Sequence, residues 1–332
     1  MRTVVVVLAV LGTPVLPSSA SADVPGTHCR VFPANNIWNT RVDNLPILPQ
    51  SSAYISAIGA AVGLHPDFGA GYWDGKPIGM FYTTVYSPQA SVAINYVEYG
   101  NESDPGPFPI PLDAPVEGGS WLTNTGDRHV LVVNTYNCVL YELYHAYAQA
   151  NRWDAGSGAV FTLTANAPLR PDTWTSADAA GLPILPGLAR YDEAASGVIT
   201  HALRFTTNCT SGYIWPARHE APSGSCANPP PMGLRVRLKS SFVINAGWSP
   251  QTKAILTALK RYGMILADNG SRWYISGAHD PGWDDDALIS QLWLVKGSDF
   301  EAVDASVLML NYNSGQAKQL LPRLWIPVVS KQ

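Results

Sequence analysis

Residues 126–147 read Gly-Asp-Arg-His-Val-Leu-Val-Val-Asn-Thr-Tyr-Asn-Cys-Val-Leu-Tyr-Glu-Leu-Tyr-His-Ala-Tyr. Two runs of aliphatic and aromatic residues, 129–134 and 138–147, flank a short polar turn, the pattern of a β-hairpin. A loop of two or four residues sets Asn134 opposite Asn137 or Val133 opposite Cys138, and both choices give one register. In that register His129 lies opposite Glu142 and Asp127 opposite Tyr144, with facing Cβ atoms about 5 Å apart. Alternation also places Asp127 and His129 on one face. The hairpin is therefore expected to carry an Asp127–His129–Glu142–Tyr144 patch on an otherwise apolar ribbon. A carboxylate beside an imidazole can move a proton or orient the ring.

Outward from the hairpin, β-branched and aromatic runs predict strands over 77–86, 91–99, 153–164, 198–207, 212–217 and 234–244. The proline-rich stretch 102–115 can continue neither a ladder nor a helix. Helices are expected over 51–61 and 176–180, from Ser249-Pro250 to Tyr262, and after Asp284-Asp285-Asp286. Many short strands with frequent Gly and Pro turns predict a mainly β fold. The expected form is a β-sandwich or jelly-roll-like single module with a few decorating helices.

The ends differ in character. Arg2, the apolar run from Val4 to Leu16 and Ala20-Ser21-Ala22 read as a secretory signal peptide over 1–22. It precedes one β-rich module over 23–310 and a C-terminal tail over 311–332. That tail holds Trp325-Ile-Pro-Val-Val329, which looks like a short sorting signal. A secreted, extracellular location follows, and four cysteines in an exported chain favour disulfides. Cys209–Cys226 closes a short Ser/Gly/Pro-rich loop and leaves Cys29–Cys138, while no C-x-x-C spacing supports zinc.

Composition limits the partners. The 332 residues are 46% hydrophobic and 14% charged, with a net charge of −4. Such a chain is too hydrophobic for disorder and offers no basic surface for nucleic acid. No stretch after the leader is long and apolar enough to span a membrane, and a monomer is expected. Eleven Trp and fifteen Tyr on a largely neutral polar background suit the C–H faces and hydroxyls of sugars.

Two further constellations carry titratable groups. The first joins Arg190-Tyr191-Asp192-Glu193, His201-Ala-Leu-Arg204 and Arg218-His219 after Trp215-Pro216. The second is Ala267-Asp268-Asn269-Gly270 with Trp273. No cofactor motif is present. A divalent metal held by His65-Pro-Asp67 and Asp127-Arg-His129 is the alternative chemistry.

Several stretches share one resemblance. Leu64-His-Pro-Asp-Phe-Gly69, Glu102-Ser-Asp-Pro-Gly106 and Gly126-Asp-Arg-His-Val-Leu-Val-Val133 belong to it. So do Thr175-Ser-Ala-Asp-Ala-Ala-Gly-Leu-Pro-Ile-Leu-Pro-Gly187, His201-Ala-Leu-Arg-Phe-Thr206, Trp215-Pro-Ala-Arg-His219 and Ala267-Asp-Asn-Gly270. Together they resemble a widespread set of secreted bacterial proteins over about residues 32–305. The resemblance implies a single extracellular module and carries no mechanism with it.

The expected function is that of an extracellular polysaccharide-active enzyme. A glycoside hydrolase would draw its acid and second carboxylate from Glu142, Glu193, Asp127 and Asp268, with His129, His201 and His219 as further candidate catalytic groups. Arg204, Arg218, Tyr144, Tyr191, Trp215 and Trp273 would bind substrate. A polysaccharide lyase would instead pair His201 or His219 with Arg204 or Arg218. A non-catalytic glycan-binding or cell-surface module is the alternative outside enzymology. Distant motifs of one enzyme should converge, so His201, Arg218 and His219 are expected on the face of the Asp127–His129–Glu142 patch.

Overall fold

Leu131 and Val133 bury themselves in one hydrophobic cluster, while Val130 and Val132, alternating with them, enter a second. A strand apolar on both faces must lie inside a molecule, with layers packed on either side. The structure, a computed structural model, describes residues 23–86, 88–119, 126–166 and 168–319. The leader and Trp325-Ile-Pro-Val-Val329 lie outside the described residues.

The hairpin joins Val130–Asn134 to Val139–Tyr144. Its register pairs Leu131 with Glu142 and Asn134 with Val139, two residues away from the expected pairing. Parity is kept, so His129 and Glu142 share a face, but they are not direct partners. The turn explains the shift. Thr135 donates its backbone N–H and its hydroxyl to Val85 O, and the Asn137 side chain accepts from Val139 N. Cys138 has a φ of 53° and is bonded to Cys29, which keeps it out of the ladder.

Around this hairpin runs a four-stranded sheet in the order Ser157–Thr162, Val139–Tyr144, Val130–Asn134 and Tyr82–Val85, the last pair parallel. A six-stranded sheet follows the order His65–Asp67, Tyr274–Ser276, Leu203–Thr207, Met264–Asn269, Arg235–Leu238 and Phe300–Val303. Two smaller sheets complete the strands among the described residues. The mainly β class holds, with few helices. Parallel pairs in both large sheets make the order more mixed than that of an antiparallel jelly roll.

The central Leu203–Thr207 and Met264–Asn269 strands are parallel and mostly buried, as parallel strands covered on both faces must be. The helix Pro250–Arg261 leads into the second of them. Ser249 caps it by accepting from Thr252 N, and Ala254, Ile255, Leu256, Ala258 and Leu259 are buried. Gly263 turns the chain from helix to strand at a φ of 65°, where a Cβ would lie 2.2 Å from Val236 O. Helices also form at Ser51–Ile58 and at Asp285–Leu292, where Asp284 caps Ala287 N.

Two expected elements are absent. Residues 176–180 form turns rather than a helix, because the Thr175 and Ser176 hydroxyls both donate to Asp178 O and compete with helical bonding. Residues 212–217 contain one isolated bridge at Tyr213 instead of a strand, and Pro216 has no N–H for a ladder. Both expected disulfides are present, Cys29–Cys138 and Cys209–Cys226, and no free cysteine remains among the described residues. No helix among the described residues is long and apolar enough to cross a membrane.

Candidate functional site

Arg204 stands at the centre of the polar interior. It is almost wholly buried, and each nitrogen of its guanidinium is engaged. Nε donates to Asp178 Oδ2 at 3.1 Å, Nη1 to Ser276 Oγ at 2.8 Å, and Nη2 to Asp268 Oδ2 at 3.2 Å. Two carboxylates thus share one cation. Burial pushes the pKa of both acids up, Arg204 opposes that, and other carboxylates nearby push it further up. Asp178 is sealed in, whereas the Asp268 side chain is 20% exposed. Asp268 opens into a hollow of about 280 Å3 together with Tyr99, Asp127, Tyr144, Thr175 and His219.

Beneath lies His129. Its Nδ1 is 2.6 Å from Glu117 Oε2 and its Nε2 is 2.9 Å from Ala177 O. A carboxylate and a carbonyl can only accept, so both ring nitrogens carry protons and the ring is an imidazolium. Burial acts to lower its pKa, but Glu117 outweighs it and holds the ring up at about 9. The Glu117 carboxyl is likewise raised by burial and brought below its usual range by His129.

A larger hollow of about 610 Å3 shares Asp127 with the first. One wall is the strand His65–Asp67, at the edge of the six-stranded sheet, where Pro66 is tolerated. Alternation turns His65 and Asp67 to one face. The His65 ring stacks on Tyr274 at 4.2 Å, and burial lowers its pKa. Asp67 and Asp127 are both exposed and line this groove. Neither carboxylate has a hydrogen-bond or ion-pair partner among the described residues. Asp67 is pushed up to about 6, first by the desolvating groove wall, then by the charges of Glu117 and Asp127, with Arg204 pulling the other way.

The rim is a two-stranded hairpin, Tyr72–Trp73 with Lys76–Pro77. Its turn is Asp74-Gly75 at φ values of 51° and 75°. Both positive, they make a two-residue turn of the kind that suits a hairpin's twist and favours Asp-Gly. The turn sets Trp73 opposite Lys76 with 79% of the Trp surface exposed.

The structure divides the residues that sequence singled out. Asp127, Tyr144, His219 and Asp268 share the smaller hollow, with His129 buried behind it. Glu142 is elsewhere, fully buried in the core. It accepts from Ile184 N at 3.0 and 2.9 Å and from Leu185 N at 3.0 Å, fastening the Gly-Leu-Pro-Ile-Leu-Pro-Gly segment to the hairpin. Burial raises its pKa to about 7 against the pull of those amides.

Glu193 and His201 form another buried cluster, with Glu193 Oε2 3.0 Å from His201 Nε2 and 3.2 Å from Arg190 Nη2. Tyr191 packs edge-on against Trp283. Arg218 donates to Arg170 O, Tyr312 O and Asn313 Oδ1, so it ties loops together. Trp215 and Trp273 are core residues, their indole N–H groups bonded to Ser314 O and Gly59 O. Trp273 stacks between Phe205 and Phe300. Of the expected convergence, His219 reaches the Asp127 face, whereas His201 and Arg218 do not.

Asp67, expected only as a metal ligand, is the acid that sequence reasoning misses; its local signal is the spacing of His65-Pro-Asp67. Trp73, one of the tryptophans expected beside loops and in a groove, is the one that the Tyr-Trp-Asp-Gly turn brings to the rim. The metal alternative loses one of its two imidazoles, because both nitrogens of His129 are engaged by Glu117 and Ala177. The one trio of metal-ligand type among the described residues is His28, Cys29 and Cys138, and its two sulfurs are joined to each other. No protein-family model, no curated protein and no solved structure matches this chain.

Proposed function

We propose that this chain is an extracellular polysaccharide-active enzyme, a glycoside hydrolase with Asp67 as general acid and Asp127 as second carboxylate. One observation carries the reading. Two carboxylates without partners face one groove, and one of them is tuned to keep its proton near pH 6. Hydrolysis of a glycosidic bond needs that division of labour: an acid to protonate the leaving oxygen and a carboxylate to assist at the anomeric carbon. The Asp178–Arg204–Asp268 cluster and the Glu117–His129 pair support the floor from behind. The two large sheets, which share one core, serve as a sandwich-like scaffold, and two disulfides suit an oxidising compartment. The resemblance to secreted bacterial proteins agrees with that setting.

A uronate lyase is the weaker reading. It needs a cation free to neutralise the substrate carboxylate, and every nitrogen of Arg204 and Arg218 is already bonded.

The test is release of reducing ends from a panel of neutral, amino-bearing and acidic polysaccharides. Asp67→Asn and Asp127→Asn are each expected to lower the rate on the substrate found by about 100-fold or more. Neither side chain has a partner to lose, so melting temperatures should stay within about 2 °C of wild type. Binding without any release of ends would replace the enzyme with a glycan-binding module.

A further inference from the structure

We infer that the Tyr72–Pro77 hairpin is a sugar-gripping platform and that the groove beneath it takes chains without acidic groups, neutral or amino-bearing. The inference rests on the hydrolase reading for the ligand being a glycan, and adds which glycans enter and what holds them. Trp73 is a large apolar surface at the strand end next to the two-residue turn, 79% exposed, with Tyr72 before it in the strand at 64%. An indole held that far into water at the rim of a groove costs the fold its burial, which a flat ligand face would recover. Trp73, Lys76 and Pro77 line the same groove as Asp67 and Asp127, so a chain lying across Trp73 runs on to the carboxylate pair.

Charge narrows the ligand. Four acids line the groove, Asp67, Glu117, Asp127 and Asp285, against two cations, Lys76 and Arg128, so its walls are acidic on balance. Uronates and sulfated sugars would set like charges against them in a partly desolvated space. Uncharged hexoses meet no such penalty, and protonated amino sugars are attracted.

The experiment is affinity electrophoresis of the mature full-length protein, run in gels containing glycol chitosan, galactomannan, xylan or polygalacturonate. Retardation is expected in at least one of the first three and not in polygalacturonate. Trp73→Ala should weaken that retardation about tenfold or more, a change of about 1.4 kcal/mol. Tyr136→Ala, which removes another exposed aromatic outside the groove, should leave it unchanged. Equal retardation of Trp73→Ala and wild type, strongest retardation by polygalacturonate, or none by any non-acidic polymer would overturn the inference. Its failure is separable from that of the hydrolase. Retardation that depends on Trp73 without release of reducing ends leaves the platform standing alone. Release of ends that ignores Trp73 leaves the hydrolase without it.

Discussion

Arg204→Met is expected to destabilise the protein by about 3–5 kcal/mol, the usual cost of removing one partner from a buried charge cluster. The substitution keeps the length of the apolar stem but strands Asp178 and Asp268, which have no other cation within salt-bridge distance among the described residues. In a chain of this size, such a loss should lower the melting temperature by about 10 °C. Asp178→Asn in the Arg204→Met background should recover part of it, since the double variant removes a buried charge along with its partner. A fall of under about 1 kcal/mol in the single variant would mean that the two acids are satisfied without Arg204.

Stability should peak near pH 5 and decline towards pH 9. Glu142 is held up at about 7 and His129 at about 9, above the 4.5 and 6.5 of the unfolded groups. A group raised by folding adds stability at low pH and loses it as pH climbs through the folded value. For Glu142 that loss spans about pH 4.5–7, and for His129 about 6.5–9. Glu142 alone corresponds to on the order of 3 kcal/mol at 1.36 kcal/mol per pKa unit. On the acid side, Glu117 and Glu193 are both held below the usual carboxylate range. Their contribution is present above about 4.5 and is lost as pH falls through the folded values. Thermal unfolding of the disulfide-intact protein from pH 3 to 9 measures the whole curve. Glu142→Gln, which mimics the protonated acid, should flatten the segment between pH 5 and 7. A stability maximum at pH 8, or a rise between 5 and 8, would contradict these assignments.

The difference between sequence and structure lies in what charged residues do here. Periodicity and caps were enough for the hairpin, the helix after Ser249 and the helix after Asp284, because those signals are local. Disulfide pairing followed from loop length. The strand Met264–Asn269 escaped notice because a continuous apolar run has no period of two and directly follows a helix. Roles were harder to read than elements. With only 14% charged residues, any Arg, His or Glu among strands reads as a site. Yet Arg170, Arg204, Arg218, Arg235 and Arg237 are all buried, and they bond carbonyls and carboxylates of other segments. Most of their partners lie dozens of residues away in sequence, as with Arg204 and Asp268. No pattern in the chain separates such an internal tie from a ligand contact. A two-residue error of register was likewise enough to set Glu142 beside His129, when it in fact anchors Ile184 and Leu185.

The most direct measurement compares Asp67→Asn with Asp127→Asn on two substrates of the same sugar: the polysaccharide and its 2,4-dinitrophenyl glycoside. Dinitrophenolate leaves without being protonated, so removing the general acid matters little for its departure. Asp67→Asn should lose turnover of the polysaccharide while keeping most of the dinitrophenyl release. Asp127→Asn should lose both. Equal loss of both activities in Asp67→Asn, or full activity on the polysaccharide in either variant, would remove the acid–carboxylate pair from the groove.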